Sequence, residues 1–388
     1  MTPRRRRSVR FAAVAAVIAL IAALPTLAGA RPAPKDRAVS AASLLARMRA
    51  SGAEHYEGYA QSVGTAGIPD VADLGDLPSL LGDVTMLRVW WSSPSQWRVD
   101  KLSATSEDDT YGYPGGSWEW TSATNTAVNV TAVAPVRLLE APDLAPDQLG
   151  RRLAALAGQP GVTARRDGAR RIAGRTALGV VLTGARGTTV GAVQLWSDEA
   201  TGVPLAASVT ALGQSRPLLA TTYLSFSATT PQDGTDTFTP PADATVQSVD
   251  DSALRGLFGR LVALPGLAQL TPGLTVEQQG ATAGEQGVAV YGSGLSQVAA
   301  VGLNRGDAEK LGHDLGSAAT ESDLAGGQMF TVSTPLVNLA LLDARGLHVL
   351  LVGTVPQATL TAALANLRAA APSGFGFGFN GPPPGSSA

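Results

Sequence analysis

The sequence predicts an α+β fold: one highly curved antiparallel sheet with covering helices, followed by a smaller α/β unit. Three observations point there. Short runs of period-2 alternation follow one another for some two hundred residues, which is the pattern of half-buried strands. Charged residues make up only 15% while Gly (44) and Pro (25) are plentiful, a balance that suits turns rather than long charged helices. Helical spacing of apolar residues interrupts the strands at only a few places, each with a start signal.

In chain order, residues 40–53 carry Leu44, Leu45 and Met48 on one helical stripe behind a candidate N-cap, Ser40. Residues 55–63 read as a strand with Tyr56 and Tyr59 on opposite faces. Residues 64–83 read as a long loop with room for a helical turn. Leu87, Val89 and Trp91 then alternate with Arg88 and Trp90, and after a Pro94 turn Trp97, Val99 and Lys101 alternate with Arg98, Asp100 and Leu102. Residues 110–113 and 117–121, joined by Pro114-Gly115-Gly116, extend this hairpin to a four-stranded meander. Another strand spans 126–136, and a second helix, 146–157, starts on Pro146. Further hairpin strands are expected at 162–166 and 169–173 around Asp167-Gly168, then at 177–183, 189–197, 205–212 and 218–228. The total, roughly nine to eleven strands, is a number at which an open sheet curls.

Two consecutive prolines, Pro240 and Pro241, end the first domain at about residue 245, since proline cannot continue a strand ladder. The second domain, residues 246–372, reads as a helix at 252–264, a hairpin across Gly292-Ser293-Gly294 and a helix at 307–315. Strands at 329–333, 337–343 and 347–355 follow, then a last helix from Pro356 to Arg368, giving a sheet with helices on one face. Residues 373–388 are low in complexity and read as a disordered tail.

The N-terminus sets the compartment. Arg4 to Arg7 and Arg10 precede an apolar run over residues 11–30 that ends in Ala28-Gly29-Ala30, the layout of an export signal. Residues 1–30 are therefore a signal peptide or, because the run approaches the ~20 residues that span a bilayer, an N-terminal membrane anchor. Either way the rest of the chain is extracytoplasmic. Five of the 29 basic residues lie in that segment and no acid does, leaving 24 basic against 31 acidic groups, net −7. An acidic body without a basic run excludes nucleic acid as a partner.

Catalytic motifs are missing. Without cysteine, disulfides, thiol nucleophiles and lipid attachment to cysteine are excluded. His55, His313 and His348 lie far apart and have no evident acid or nucleophile beside them. Glu107-Asp108-Asp109 lacks the alternating oxygens and turn glycine of a calcium loop and reads as a solvated β-turn. The chain is thus read as no enzyme, with no metal or other cofactor.

Five of the six tryptophans fall within residues 87–120, on both faces of the predicted strands. A solid core and a partly open apolar cavity account for them equally well, since pockets too are lined by aromatics. The candidate ligand-binding set is Leu87, Val89, Trp90, Trp91, Trp97, Val99, Tyr111, Trp118 and Trp120.

These residues also carry a resemblance. His55-Tyr56-Glu57-Gly58-Tyr59, Leu77-Pro78, Leu87-Arg88-Val89-Trp90-Trp91, Pro94, Trp97-Arg98-Val99-Asp100, Asp108 with Tyr111, and Trp118 with Trp120 resemble actinobacterial exported proteins of the MucB/RseB and LolA-like group. The resemblance covers most of residues 31–245 and is most specific over 55–120. It implies a curved β half-barrel closed by helices, with a hydrophobic concave face for acyl chains. Residues 290–297 and 351–355 resemble the smaller C-terminal domain of the regulators, which helps contact an anti-sigma factor. The expected ligand is a lipid or acylated group and the expected partner a membrane-embedded anti-sigma factor. A lipid or lipoprotein carrier without a regulatory partner is the alternative.

Overall fold

The computed structural model describes residues 34–70, 75–103, 106–131, 139–249, 269–271, 274–275, 288–324, 326–344 and 346–370. The predicted export segment, the helix at 252–264, the end of the strand predicted to 136 and the tail at 373–388 lie outside these residues. No helix among the described residues is long and apolar enough to cross a membrane.

Chain order gives α1 (Ala41–Ala50), β1 (Tyr56–Gly64), α2 (Leu77–Gly82), β2 (Val84–Ser93), β3 (Gln96–Leu102), β4 (Glu107–Tyr113), β5 (Gly116–Thr121) and β6 (Thr126–Val130). It continues with α3 (Pro146–Leu156), β7 (Thr163–Ile172), β8 (Arg175–Thr183), β9 (Val190–Asp198), β10 (Pro204–Ala211), β11 (Leu219–Ser227) and β12 (Thr245–Val249). These twelve strands make one sheet, in the order β12-β6-β5-β4-β3-β2-β1-β11-β10-β9-β8-β7. Two meanders, β1–β6 and β7–β11, are stitched together where β1 pairs with β11. β7 and β12 form its two edges, so the sheet is not closed into a barrel. Every pair is antiparallel except β12 with β6.

Residues 163–172 form a single strand rather than the hairpin expected around Asp167-Gly168. Gly168, at φ +74°, forms a bulge between Arg166 and Ala169, and the reversal comes later at Ala173-Gly174, both with positive φ. The acidic triplet is likewise no turn: Glu107 to Asp109 open β4, which pairs with β3 on one side and β5 on the other. Past the double proline the chain returns to the first sheet as β12. Residues up to Val249 are thereby tied to β6.

Helices α1 and α3 cover the inner face. Ser40 caps α1 by accepting from the Ser43 amide at 3.1 Å, and Leu44, Leu45 and Met48 turn inward to join Leu149 and Ala154 of α3 against Leu178, Val180, Leu195, Leu205 and Ala207 of the sheet. Helix formation and sheet coverage here come from the same stripes, because each helix is apolar on one side only.

After a two-strand pair, β13 (Gln269–Thr271) with β14 (Leu274–Thr275), the second sheet contains β15 (Val288–Ser293), β16 (Ser296–Gly302), β17 (Thr320–Leu324), β18 (Gly327–Ser333), β19 (Asn338–Ala344) and β20 (Leu347–Gly353). Their order is β15-β16-β20-β19-β18-β17. Helix α4 (Arg305–Leu315) packs with Leu339, Leu341 and Leu350, whereas α5 (Gln357–Ala370) packs with Ala340, Leu342, Val349 and Leu351. The helices therefore lie on opposite faces, not on one. Alternation explains it: β19 is buried almost throughout, so its odd and even residues each need a cover.

The two units are joined by polar contacts around the β8–β9 loop. Thr188 Oγ1 donates to the Leu295 carbonyl at 2.6 Å, the Thr189 amide donates to the Thr354 carbonyl at 2.9 Å, and the Gly294 amide donates to Gln159 Oε1.

Candidate functional site

The tryptophan-rich hairpin lies in the middle of the first sheet, and register assigns each side chain to a face. Directly opposed residues share a face and neighbours along a strand alternate. Tyr56 faces Trp91, Trp91 faces Trp97 and Val89 faces Val99, so these five lie on the inner, helix-covered side together with Leu87. Arg98 faces both Trp90 and Tyr111, Tyr111 faces Trp118, and Asp109 faces Trp120, so this second set lies on the outer side.

On the inner face the rings form a ladder across four strands. Trp97 stacks on Trp91 (centroids 6.2 Å), Trp91 on Tyr56 (6.0 Å), Tyr56 on Phe226 (5.6 Å), and Phe226 meets Tyr223 (5.3 Å). Offset stacking of this kind adds to plain area burial. Tyr56, Trp91 and Tyr223 are buried, whereas Trp97 and Phe226 are only partly buried.

Helix α3 locks the ladder from above. Asp147, fully buried, accepts from Tyr56 Oη at 2.7 Å, from Tyr223 Oη at 2.6 Å and from Arg151 at 2.8 Å. Arg151 also donates to Tyr56 Oη at 2.9 Å, and its guanidinium lies 4.4 Å from the Trp91 ring centre. Burial, reinforced by the Asp147 charge, raises both tyrosine pKa values well above the ordinary value. A carboxylate one turn from its arginine on the same helix thus satisfies two hydroxyls that the sheet would otherwise bury without partners.

At the far rung, Arg175 holds its guanidinium 5.7 Å from the Phe226 ring through a two-point contact with Asp198 at 2.7 and 2.8 Å. Burial works to raise the Asp198 pKa, but Arg175 and the Thr201 amide and hydroxyl outweigh it and hold the carboxyl below its usual value. Its contribution to stability is therefore present above the unfolded value of about 4 and is lost as pH falls through the lower folded value. Arg175→Ala is expected to reduce this acid-induced loss, checked by unfolding midpoints between pH 7 and acid.

The outer face has another cover. Residues 228–244 run from β11 to β12, and Phe238 within them packs on Tyr111 (4.9 Å), Trp118 (5.8 Å) and Trp120 (5.8 Å). Asp236 of the same strap is buried and accepts from Gln96 at 3.1 Å. Arg98 lies between Trp90 and Tyr111, 4.9 Å from each ring centre, and donates to Asp100 at 2.5 Å and Asp109 at 3.0 Å. Burial pushes the Asp100 carboxyl up to about 8; Glu107 and Asp109 add to the shift and Arg98 opposes it.

The nine residues singled out from sequence consequently do not line one wall. Leu87, Val89, Trp91, Trp97 and Val99 belong to the inner core; Trp90, Tyr111, Trp118 and Trp120 lie on the outer side. Sequence reasoning missed Tyr223, Phe226, Asp147, Arg151 and Phe238. Asp147 and Arg151 carried a usable signal, since an acid and a base at i,i+4 flank the apolar stripe of a predicted helix. Of the histidines, His55 and His313 are exposed, and His348 Nδ1 lies 2.7 Å from Asp343 across the β19–β20 pair.

No family model matches the chain, and no curated protein matches it. Solved structures do. A LolA superfamily protein from Nitrosomonas europaea is similar over 52% of this chain and 99% of its own, at 14% identity and a TM-score of 0.24. An uncharacterised conserved protein from Thermus thermophilus is similar over 53% and 98%, at 16% identity and a TM-score of 0.34. MucB, in the MucA/MucB complex of Pseudomonas aeruginosa, is similar over 83% of this chain and 96% of its own, at 16% identity and a TM-score of 0.45. The structural neighbours of this chain thus include MucB and a LolA superfamily protein.

Proposed function

We propose that this chain is an exported, non-enzymatic binding protein that takes up a lipid acyl chain or an acylated ligand on the inner face of its curved sheet. Its role is regulatory: loaded and empty forms differ in affinity for an envelope-stress anti-sigma factor. The observation that carries the ligand half is the aromatic ladder, in which Trp97 at one end and Phe226 next to the other stay only partly buried while the rings between them are covered. An acyl chain laid against those two rings gains about 25 cal/mol per Å² of apolar surface removed from water. Regulation then follows from differential affinity alone, since a ligand shifts an equilibrium only by what it gains in one state over the other. The regulatory half is supported by the resemblance of residues 55–120 and by the export signal.

The test uses the division of faces. Delipidated protein titrated with a fluorescent fatty-acyl probe is expected to bind it. Trp97→Ala should weaken binding about tenfold, the equivalent of ~1.4 kcal/mol, and Trp120→Ala should leave it unchanged. No probe uptake by the wild type removes the ligand half, and equal losses in the two variants remove the inner face as its seat. Transfer of the probe between vesicles with no anti-sigma protein recovered from native envelope favours a carrier over a regulator.

A further inference from the structure

The outer face of β3–β4 holds an arrangement that the acyl-binding reading does not use. Asp100 on β3 and Asp109 on β4 are directly opposite each other, and Glu107 lies two residues before Asp109 on the same face. One carboxylate oxygen from each of the three lies within 4.8 Å of the others. Like charges placed directly opposite on a sheet are unfavourable, so a positive charge or a bound proton must relieve them. Arg98 compensates only in part. It reaches Asp100 Oδ1 and Asp109 Oδ2, the latter also accepting from Tyr111 Oη at 3.2 Å, and its Nη2 lies 3.6 Å from Glu107 Oε1, so one positive charge is shared among three carboxyls. Packed between the Trp90 and Tyr111 rings, its guanidinium makes no hydrogen bond to Asp100 Oδ2 or Asp109 Oδ1.

Two of those remaining oxygens decide the matter. Asp100 is 0% exposed and Asp109 6%, and Asp100 Oδ2 and Asp109 Oδ1 are buried with no hydrogen-bond partner. Buried carboxylate oxygens without partners are costly, and these two belong to aspartates of one acidic cluster, where a cation would satisfy them. We propose that Asp100, Glu107 and Asp109 form a divalent-cation site of the calcium class on the outer face of the sheet. Oxygen-only donors suit a hard cation and disfavour zinc or copper, which take nitrogen and sulfur. Glu107, with 41% of its side chain exposed, is the open side through which water completes the shell. Arg98 holds Asp100 Oδ1 and, with Tyr111, Asp109 Oδ2, and so fixes which oxygens are left for the ion, the part that outer partners play in metal sites. A proton shared between the aspartates is the competing occupant.

The experiment uses the exported chain stripped with chelator and titrated with terbium, exciting tryptophan. Trp120, opposite Asp109, and Trp90, beneath Arg98, are near enough to sensitise bound terbium. Sensitised emission that calcium displaces is expected, together with an unfolding midpoint that rises on adding calcium at about 1 mM, the weak end of extracellular calcium modules. Glu107→Gln, on the solvent side and therefore compatible with folding, should weaken terbium binding at least tenfold. Asp108→Asn should leave it unchanged, because Asp108 points to the other face beside Lys101. Absence of sensitised emission and of any calcium effect in the wild type overturns the site and leaves the shared proton. Loss of the signal in Asp108→Asn but not in Glu107→Gln overturns the residue assignment.

Discussion

Replacing Asp147 by alanine is expected to cost the first unit ~3–5 kcal/mol, because breaking a buried ion pair leaves its partner charge uncompensated. Three donors lose their acceptor at once: Tyr56, Tyr223 and Arg151. Both hydroxyls are fully buried, and the arginine side chain is 13% exposed, so water replaces little of what is lost. Asp147→Asn keeps one acceptor and the volume, and should fall between wild type and alanine. Urea unfolding followed by tryptophan emission measures this cleanly, since all six tryptophans lie in the first unit and the second contributes no signal. A midpoint change equivalent to less than ~1 kcal/mol for Asp147→Ala contradicts a structural role for the network.

The second large effect belongs to the rung beneath. Trp91→Ala removes a buried ring stacked on both sides, at ~3–5 kcal/mol for a large-to-small change in a core. It also strands the Gly52 carbonyl, which accepts from the Trp91 indole at 2.9 Å, and takes away the surface over which Arg151 lies. Trp91→Phe keeps the stacking partner and loses only the indole donor, so it should recover much of the deficit. The double variant with Asp147→Ala is expected to fall short of the sum of the singles. Both substitutions act on Arg151 and Tyr56, and residues that share partners couple by ~0.5–3 kcal/mol. Strict additivity means that helix and ladder are independent.

How much of this could be read from the amino acids differs from strand to strand. Alternation in β2 and β3 was legible in full: Leu87, Val89, Trp91, Trp97 and Val99 separate from Arg88, Trp90, Arg98 and Asp100 by parity alone, and the structure keeps that division. Parity in β5 was equally clear, with Trp118 and Trp120 against Ser117, Glu119 and Thr121, but parity does not say which face is which. That depends on the register across the β3–β4 turn, where a change of one residue moves every side chain to the other side. Phe238 was illegible for a different reason. It lies in an irregular strap rich in Thr, Asp and Pro, and only its packing on Tyr111, Trp118 and Trp120 shows why an apolar ring is needed there. The bulge at Gly168 deceived because Asp-Gly is also the strongest hairpin signal, and nothing local separates the two uses. The opposed helices of the second unit followed from a strand, β19, apolar at nearly every position, a pattern that forbids a solvated face.

One feature of the first sheet bears on how the chain reaches its folded state. The seam between the two meanders pairs Glu57 with Ser227 and Gly64 with Leu219, so the central strand of the sheet waits for residues far behind it. Such non-local pairing raises contact order and slows folding. As the chain is made from its N-terminus, β1 and β2 emerge with Tyr56 and Trp91 uncovered well before α3 and β11 arrive to enclose them. The aromatic ladder is thus the last part of the inner face to be sealed. During that interval it is also the surface most in need of protection from aggregation.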